Sequence, residues 1–467
     1  MRRFWTWSTV VATAASLGIA GLALRASATV PSQTAPLAAA HGGGFMAEGA
    51  GSCAASNCHG SPNRHEGEPI LHNEHTTWVT ADAHSRAYDV LLTDRSRSIA
   101  HLLSKGKPET KAHEDARCLA CHVTPSAPTV GAAAADLVDT IRRDGVGCES
   151  CHGPAQGWLA AHTTFGWKDR NDKASTGFAD MRNYSTRAQT CAGCHVGAPA
   201  DPLKNLPLRD VNHDLIAAGH PRLNWEFSAY AANTPKHWKT PTSEASDLDA
   251  RLWKIGQVAS LNAAADLLHD RAQRASDKKA PWPELSEYSC FSCHFGLKPK
   301  TDPLHATRDP EVKLGMPAWG SWHVPMVKIL AENGPGAPPP TVGASLSALR
   351  AEMKTLNSDP AIIAQNAAAL KVALAPWLNS LPETRLSEVE IRSLIGVLNA
   401  KDAKTGQMKV VTGWDSAAQR YLALAALHAS QGQMAAAGED KKLRGELEAM
   451  LKELKFLDGY DSPRREK

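Results

Sequence analysis

Ten cysteines in this 467-residue chain lie between Cys53 and Cys293 and pair off without remainder. Four pairs share one spacing and one following residue: Cys118-Leu-Ala-Cys121-His122, Cys148-Glu-Ser-Cys151-His152, Cys191-Ala-Gly-Cys194-His195 and Cys290-Phe-Ser-Cys293-His294. The fifth is wider, Cys53-Ala-Ala-Ser-Asn-Cys58-His59. With 20 His in the chain, a His after the second Cys of all five pairs has a chance probability on the order of one in ten million. Two thiols separated by two residues can each add across one porphyrin vinyl group, and the adjacent His then ligates the iron. The five motifs therefore read as attachment sites for five covalent haem c groups. Zinc knuckles do not require a His after each second Cys, and so small a disulfide loop, repeated, would staple almost nothing.

Fifteen of the His lie outside the motifs. A second His or a Met on an iron makes it six-coordinate and suited to electron transfer, whereas an open position can bind and activate a small molecule. His84, between the first two motifs on an expected helix, and His162, ten residues after the third motif, are candidate second ligands. So are His213 and His220, seven apart and expected to share a helix face, with His220 at a helix end because Pro221 follows it. His113 and His323 compete for the fifth position. His72, His75, His101, His237 and His305 stand lower, His41 and His428 are expected to face solvent, and Met326 is an alternative to one His.

These residues need elements to position them and a compartment in which to acquire haem. Residues Phe4 to Leu24 are uncharged, follow Arg2 and Arg3, and lead to Ala26-Ser-Ala28, the pattern of a signal peptide spanning 1–28; an uncleaved membrane anchor is the alternative. Export would place the protein in the periplasm. Residues 29–50 read as a flexible leader, 51–330 as a pentahaem cytochrome c domain, 331–341 as a Pro/Gly linker and 342–467 as a C-terminal helical domain. In that tail Asp359-Pro360, Ser387 to Glu390 and Asp415 are expected helix caps, and Leu443, Leu447, Met450, Leu451 and Leu454 recur at helical spacing. A long helix is expected over 246–275, with Leu248, Leu252, Ile255, Val258 and Leu261 on one face. The fold class is mainly α with long loops, little or no sheet, and a C-terminal bundle of four or five helices.

Composition agrees with a soluble globular chain, 43% hydrophobic and 21% charged. The formal charge of +3 is matched by Arg2, Arg3 and Arg25 of the leader, so no nucleic-acid partner is indicated.

At Gly145-Val-Gly-Cys148-Glu-Ser-Cys151-His152-Gly-Pro154 with His162, at Trp78 with His84, and at His213-Asp-Leu-Ile-Ala-Ala-Gly-His220-Pro-Arg-Leu223, the chain resembles a known group. It is the multihaem cytochrome c family typified by the tetrahaem carrier of ammonia-oxidising bacteria, within the hydroxylamine-oxidoreductase-like group. The resemblance covers residues 50–330 and implies that these histidines are axial ligands and that the haems stack in closely spaced pairs. The wider first motif and the helical tail depart from the pattern. The reading is a periplasmic pentahaem carrier of single electrons between redox protein partners, a membrane-bound respiratory complex among the candidates, with no catalytic side chains. The alternative is a multihaem oxidoreductase with one five-coordinate haem acting on a small nitrogen or oxygen species. No Cys-x-x-Cys-Lys motif is present, which argues against a Lys-ligated active site.

Overall fold

The computed structural model describes residues 44–105, 110–125, 132–204, 206–294, 316–334, 336–401, 413–431 and 437–454. The signal peptide, the leader as far as residue 43, His41 and His305 lie outside the described residues. Among those described there is no β-strand, only isolated bridges such as Ala198 with Arg209 and Tyr288 with Trp319.

The chain from the first motif to the fourth is a series of short helices joined by loops and 3-10 turns. They are α1 (Glu74–Ala81), α2 (Asp94–Ser104), α3 (Ala116–His122), α4 (Ala132–Arg143), α5 (Cys148–His152) and α6 (Tyr184–His195). Next come α7 (His213–Ala217) and α8 (Phe227–Asn233). The longest helix, α9 (Leu248–Ser276), then leads past the fifth motif to α10 (Pro325–Asn333). The tail supplies α11 (Pro340–Glu352), α12 (Pro360–Ser380), α13 (Glu388–Leu398), α14 (Trp414–Gln431) and α15 (Ala437–Leu454).

Helix α9 is the axis on which both halves pack. The expected apolar stripe is there, but every residue from Ala250 to Leu261 is buried, so the helix is enclosed on all sides rather than on one face. Three of its long polar side chains tolerate this because they find partners, although the indole N–H of Trp253 is buried without one. Arg251 pairs with Glu244 at 3.0 Å, Lys254 Nζ donates to Thr384 O at 3.2 Å, and Gln257 donates to Gln419 at 3.1 Å. Gly256 admits α8, since a β-carbon there would meet Phe227 Cβ at 2.4 Å.

On one side α9 packs against α6, which carries the fourth motif; on the other its longest contact is with α12. Among the described residues α12 is the one helix long and apolar enough to cross a membrane, yet Ile363, Leu370, Leu374, Trp377 and Leu378 set it in the core. One hydrophobic core runs from Ala188 of α6 through Met326 and Leu330 of α10 to Leu443 of α15. The Gly/Pro stretch does break the chain, ending α10 before Gly334 and starting α11 at Pro340, but the core continues across it.

Asp359 caps α12 and Ser387 with Glu390 forms a capping box on α13, as expected. Asp415 does not cap α14. It is the second residue of that helix, buried, and its carboxylate accepts from Arg222 at 2.8 Å and from Ser321. The end of the expected flexible leader is also tied down. Glu48 and Gly49 N–H donate to the carboxylate of Glu149 in the third motif, and Ala47 and Ala50 are buried.

Candidate functional site

A helical turn sets the geometry of each standard motif. Residues three apart share a helix face, so both thiols of a Cys-x-x-Cys turn present together with the His that follows. The second motif ends α3, whose N-cap Asp115 accepts from Arg117 N–H at 2.9 Å; the third is α5; the fourth ends α6, capped by Asn183. The fifth begins on a 3-10 turn, Cys290–Ser292, and the wider first motif starts from another, Ala50–Cys53. The motifs converge although they are distant in sequence. The side chain of Cys53 neighbours that of Cys148, and Cys121 neighbours Cys194, while Cys151 lies near Cys191 and Cys194. The first motif thus abuts the third, the third the fourth, and the fourth the second, with all ten thiols free of disulfides.

Opposite the motif histidines stand other histidines. The rings of His59 and His162 are centred 6.3 Å apart, those of His195 and His84 6.1 Å, and those of His294 and His213 6.2 Å. An imidazole nitrogen lies about 2.0 Å from a bound metal and about 1.1 Å from its own ring centre, so two imidazoles on one ion put their centres about 6.2 Å apart. All three pairs have the spacing that an iron between them requires. Near the other two motif histidines, His237 lies within electrostatic reach of His152, alongside Arg187 and His59, and His122 lies within reach of His220, alongside Arg95.

Hydrogen bonds choose which ring nitrogen is left for metal. His220 Nδ1 donates to Pro221 O at 2.8 Å, His237 Nδ1 to Pro235 O at 3.2 Å, His162 Nδ1 to Leu159 O and His122 Nδ1 to Ala87 O at 2.8 Å. Two others donate to carboxylates: His59 Nδ1 to Glu74 at 3.0 Å and His84 Nδ1 to Asp82 at 2.9 Å. In each case the partner fixes the tautomer and ring orientation, with Nε2 on the other edge of the ring. Burial pushes His152 down to about 4 and also lowers His122, His220 and His237, which keeps them in the neutral form that binds metal. His59 moves the other way because Glu74 accepts its proton's hydrogen bond.

Several expectations change here. His84 sits on a 3-10 turn, Ala83–Arg86, not on an α-helix, and His162 sits on another, Ala161–Thr163. His213 and His220 do not share a helix face: α7 ends at Ala217, Gly219 takes φ 115°, and the ring of His213 faces His294. Asn212 does cap α7, accepting from Leu215 N–H at 3.0 Å, and His213 both starts that helix and faces His294. His113 stands beside Tyr88, ring centres 6.4 Å apart, and 3.7 Å from Glu114, rather than across from a motif His. His323 bonds through Nδ1 to Ser260 at 2.7 Å, among the charges of Arg222, Asp415 and Arg271, and burial pushes it down to about 3. Met326 is fully buried in the apolar core, and His428 is half-buried on α14. His237, placed lower by the sequence, lies within electrostatic reach of His152. Its signal in the sequence was Pro235 two positions before it, whose carbonyl orients the ring as Pro221 does for His220.

Residues 53–153 match the family described as cytochrome c554 and c-prime, a span that holds the first three motifs. No curated protein and no solved structure matches the chain. The family match supports a multihaem cytochrome c with covalently bound haem c, a haem-containing electron-transfer protein.

Proposed function

We propose that the chain is an exported, periplasmic pentahaem cytochrome c that passes single electrons between redox protein partners. Haem c supplies a one-electron couple at each iron. The five Cys pairs would hold the groups, and His59, His122, His152, His195 and His294 would be the proximal ligands. His162, His220, His237, His84 and His213 would be the distal ligands, in the same order. Glu74 and Asp82 orient His59 and His84 and raise their basicity, which lowers the potential at those two sites relative to the carbonyl-bonded ones. The thiol contacts make first, third, fourth and second motifs the order of adjacency.

The observation that carries this reading is a second imidazole opposite three of the five motif histidines, at 6.1, 6.2 and 6.3 Å. It favours a carrier over the oxidoreductase alternative, which needs one iron with an open position. The test is a reductive titration of the purified, exported protein combined with its intact mass. Five attached haems, uptake of five electrons and no turnover of hydroxylamine, nitrite or peroxide are expected. Fewer haems, or multiple turnovers of any of these substrates, would overturn it.

A further inference from the structure

Between His59 and Glu74, which are joined by a hydrogen bond, the chain makes a loop whose side chains the haem reading does not use. His65, Glu68 and His72 converge on it. Glu68 accepts from His65 Nδ1 at 3.0 Å and from His72 Nε2 at 2.8 Å, and the two imidazole centres are 4.9 Å apart. Candidate ligand atoms of all three lie within 4.8 Å of one another.

The backbone holds this cluster in place. Ser61 N–H donates to His72 O at 2.8 Å and His65 N–H to Leu71 O at 3.0 Å, while Lys239 Nζ donates to the carbonyls of Glu66 and Glu68. His72 takes φ 62°, a left-handed conformation that costs a residue with a β-carbon and here brings its ring onto Glu68. The side chain of Glu68 is 53% exposed, so an ion can arrive from solvent without opening the fold.

Two imidazoles and one carboxylate are the donor set of borderline divalent ions; Ca2+ and Mg2+ take oxygen ligands instead. Three protein ligands leave a fourth position to water. We propose that His65, Glu68 and His72 form a surface site for a divalent transition-metal ion of the Zn2+ class. The ion would close the loop that carries Glu74 back to His59.

The test is calorimetric titration of Zn2+ into the haem-loaded protein after treatment with a chelator and dialysis. One Zn2+ per chain is expected, with affinity reduced at least about tenfold in both Glu68→Gln and His65→Ala while the haem absorption spectrum is unchanged. Glu66→Gln, whose carboxylate pairs with Arg64 at 3.0 Å, should bind as the parent does. Absence of Zn2+ binding would reduce the cluster to hydrogen bonding alone and overturn the proposal. Binding that persists in both variants would place the ion elsewhere, with the same consequence.

Discussion

Replacing Glu74 by Gln should raise the reduction potential of the haem at His59. Burial alone would push Glu74 up, but hydrogen bonds from His59 and from Leu71 N–H outweigh it and hold the carboxyl below its usual range, so it is ionised at neutral pH. Its oxygen is 3.0 Å from His59 Nδ1. An iron on the opposite nitrogen would stand about 7 Å from that charge, given a ring width of about 2.2 Å and a metal bond of about 2.0 Å. At an effective dielectric constant of about 20, one unit charge at that distance stabilises the oxidised iron by about 2.4 kcal/mol. With about 59 mV per tenfold for one electron, this corresponds to about 100 mV. Because 18% of the Glu74 side chain is exposed, solvent screens part of the effect, and a rise of about 50–100 mV is expected. Potentiometric titration followed optically, with Glu66→Gln as control, would resolve one couple moving positive. A shift below about 20 mV, or a negative one, would refute the argument that this carboxylate acts on a ligating imidazole.

Removing His237 should convert one haem from low-spin to high-spin, whereas His113→Ala should leave every haem low-spin; magnetic circular dichroism would read both. Arg271→Met would leave Glu287, now paired with Arg271 at 2.6 Å, as a buried carboxylate without a guanidinium, and Asp210, now at 2.5 Å from Arg271, with Arg274 alone at 3.0 Å. A loss of about 3–5 kcal/mol, seen as a lower Tm by calorimetry, is expected. His323 supplies a pH dependence. Its folded pKa of about 3 lies below an unfolded value of about 6.5, so the unfolded chain takes up a proton that the folded chain refuses. Stability from this group is therefore complete above pH ~6.5 and falls by about 1.4 kcal/mol per pH unit below it, or about 2 kcal/mol at pH 5. His323→Gln should flatten the Tm profile between these two pH values; an unchanged slope would show that another group sets it.

The motifs were legible because covalent attachment demands contiguous residues, and contiguity is what a sequence displays. The histidines that face the motif histidines were legible only as candidates. His84 meets His195, and His213 meets His294, across long separations that no local pattern encodes. Helical spacing misled at His213 and His220 because a glycine and a proline end the helix between and after them. The same limit applies to α9, where the apolar stripe gave no sign that Gln257, Lys254 and Ser260 are enclosed by partners on α14, the 381–384 turn and the 319–323 loop. Caps set by adjacent residues, such as Ser387 with Glu390, were read directly, but Asp415 answers to Arg222 from a distant loop.

The most direct measurement is the electron paramagnetic resonance spectrum of the fully oxidised holoprotein, with the high-spin ferric signal integrated against the low-spin envelope. Optical spectra would check for coupled, silent haems. Two histidines on every iron predict low-spin ferric haem throughout, with His162, His220, His237, His84 and His213 all engaged. A high-spin signal amounting to one haem in five would contradict the carrier and identify an iron open to a substrate.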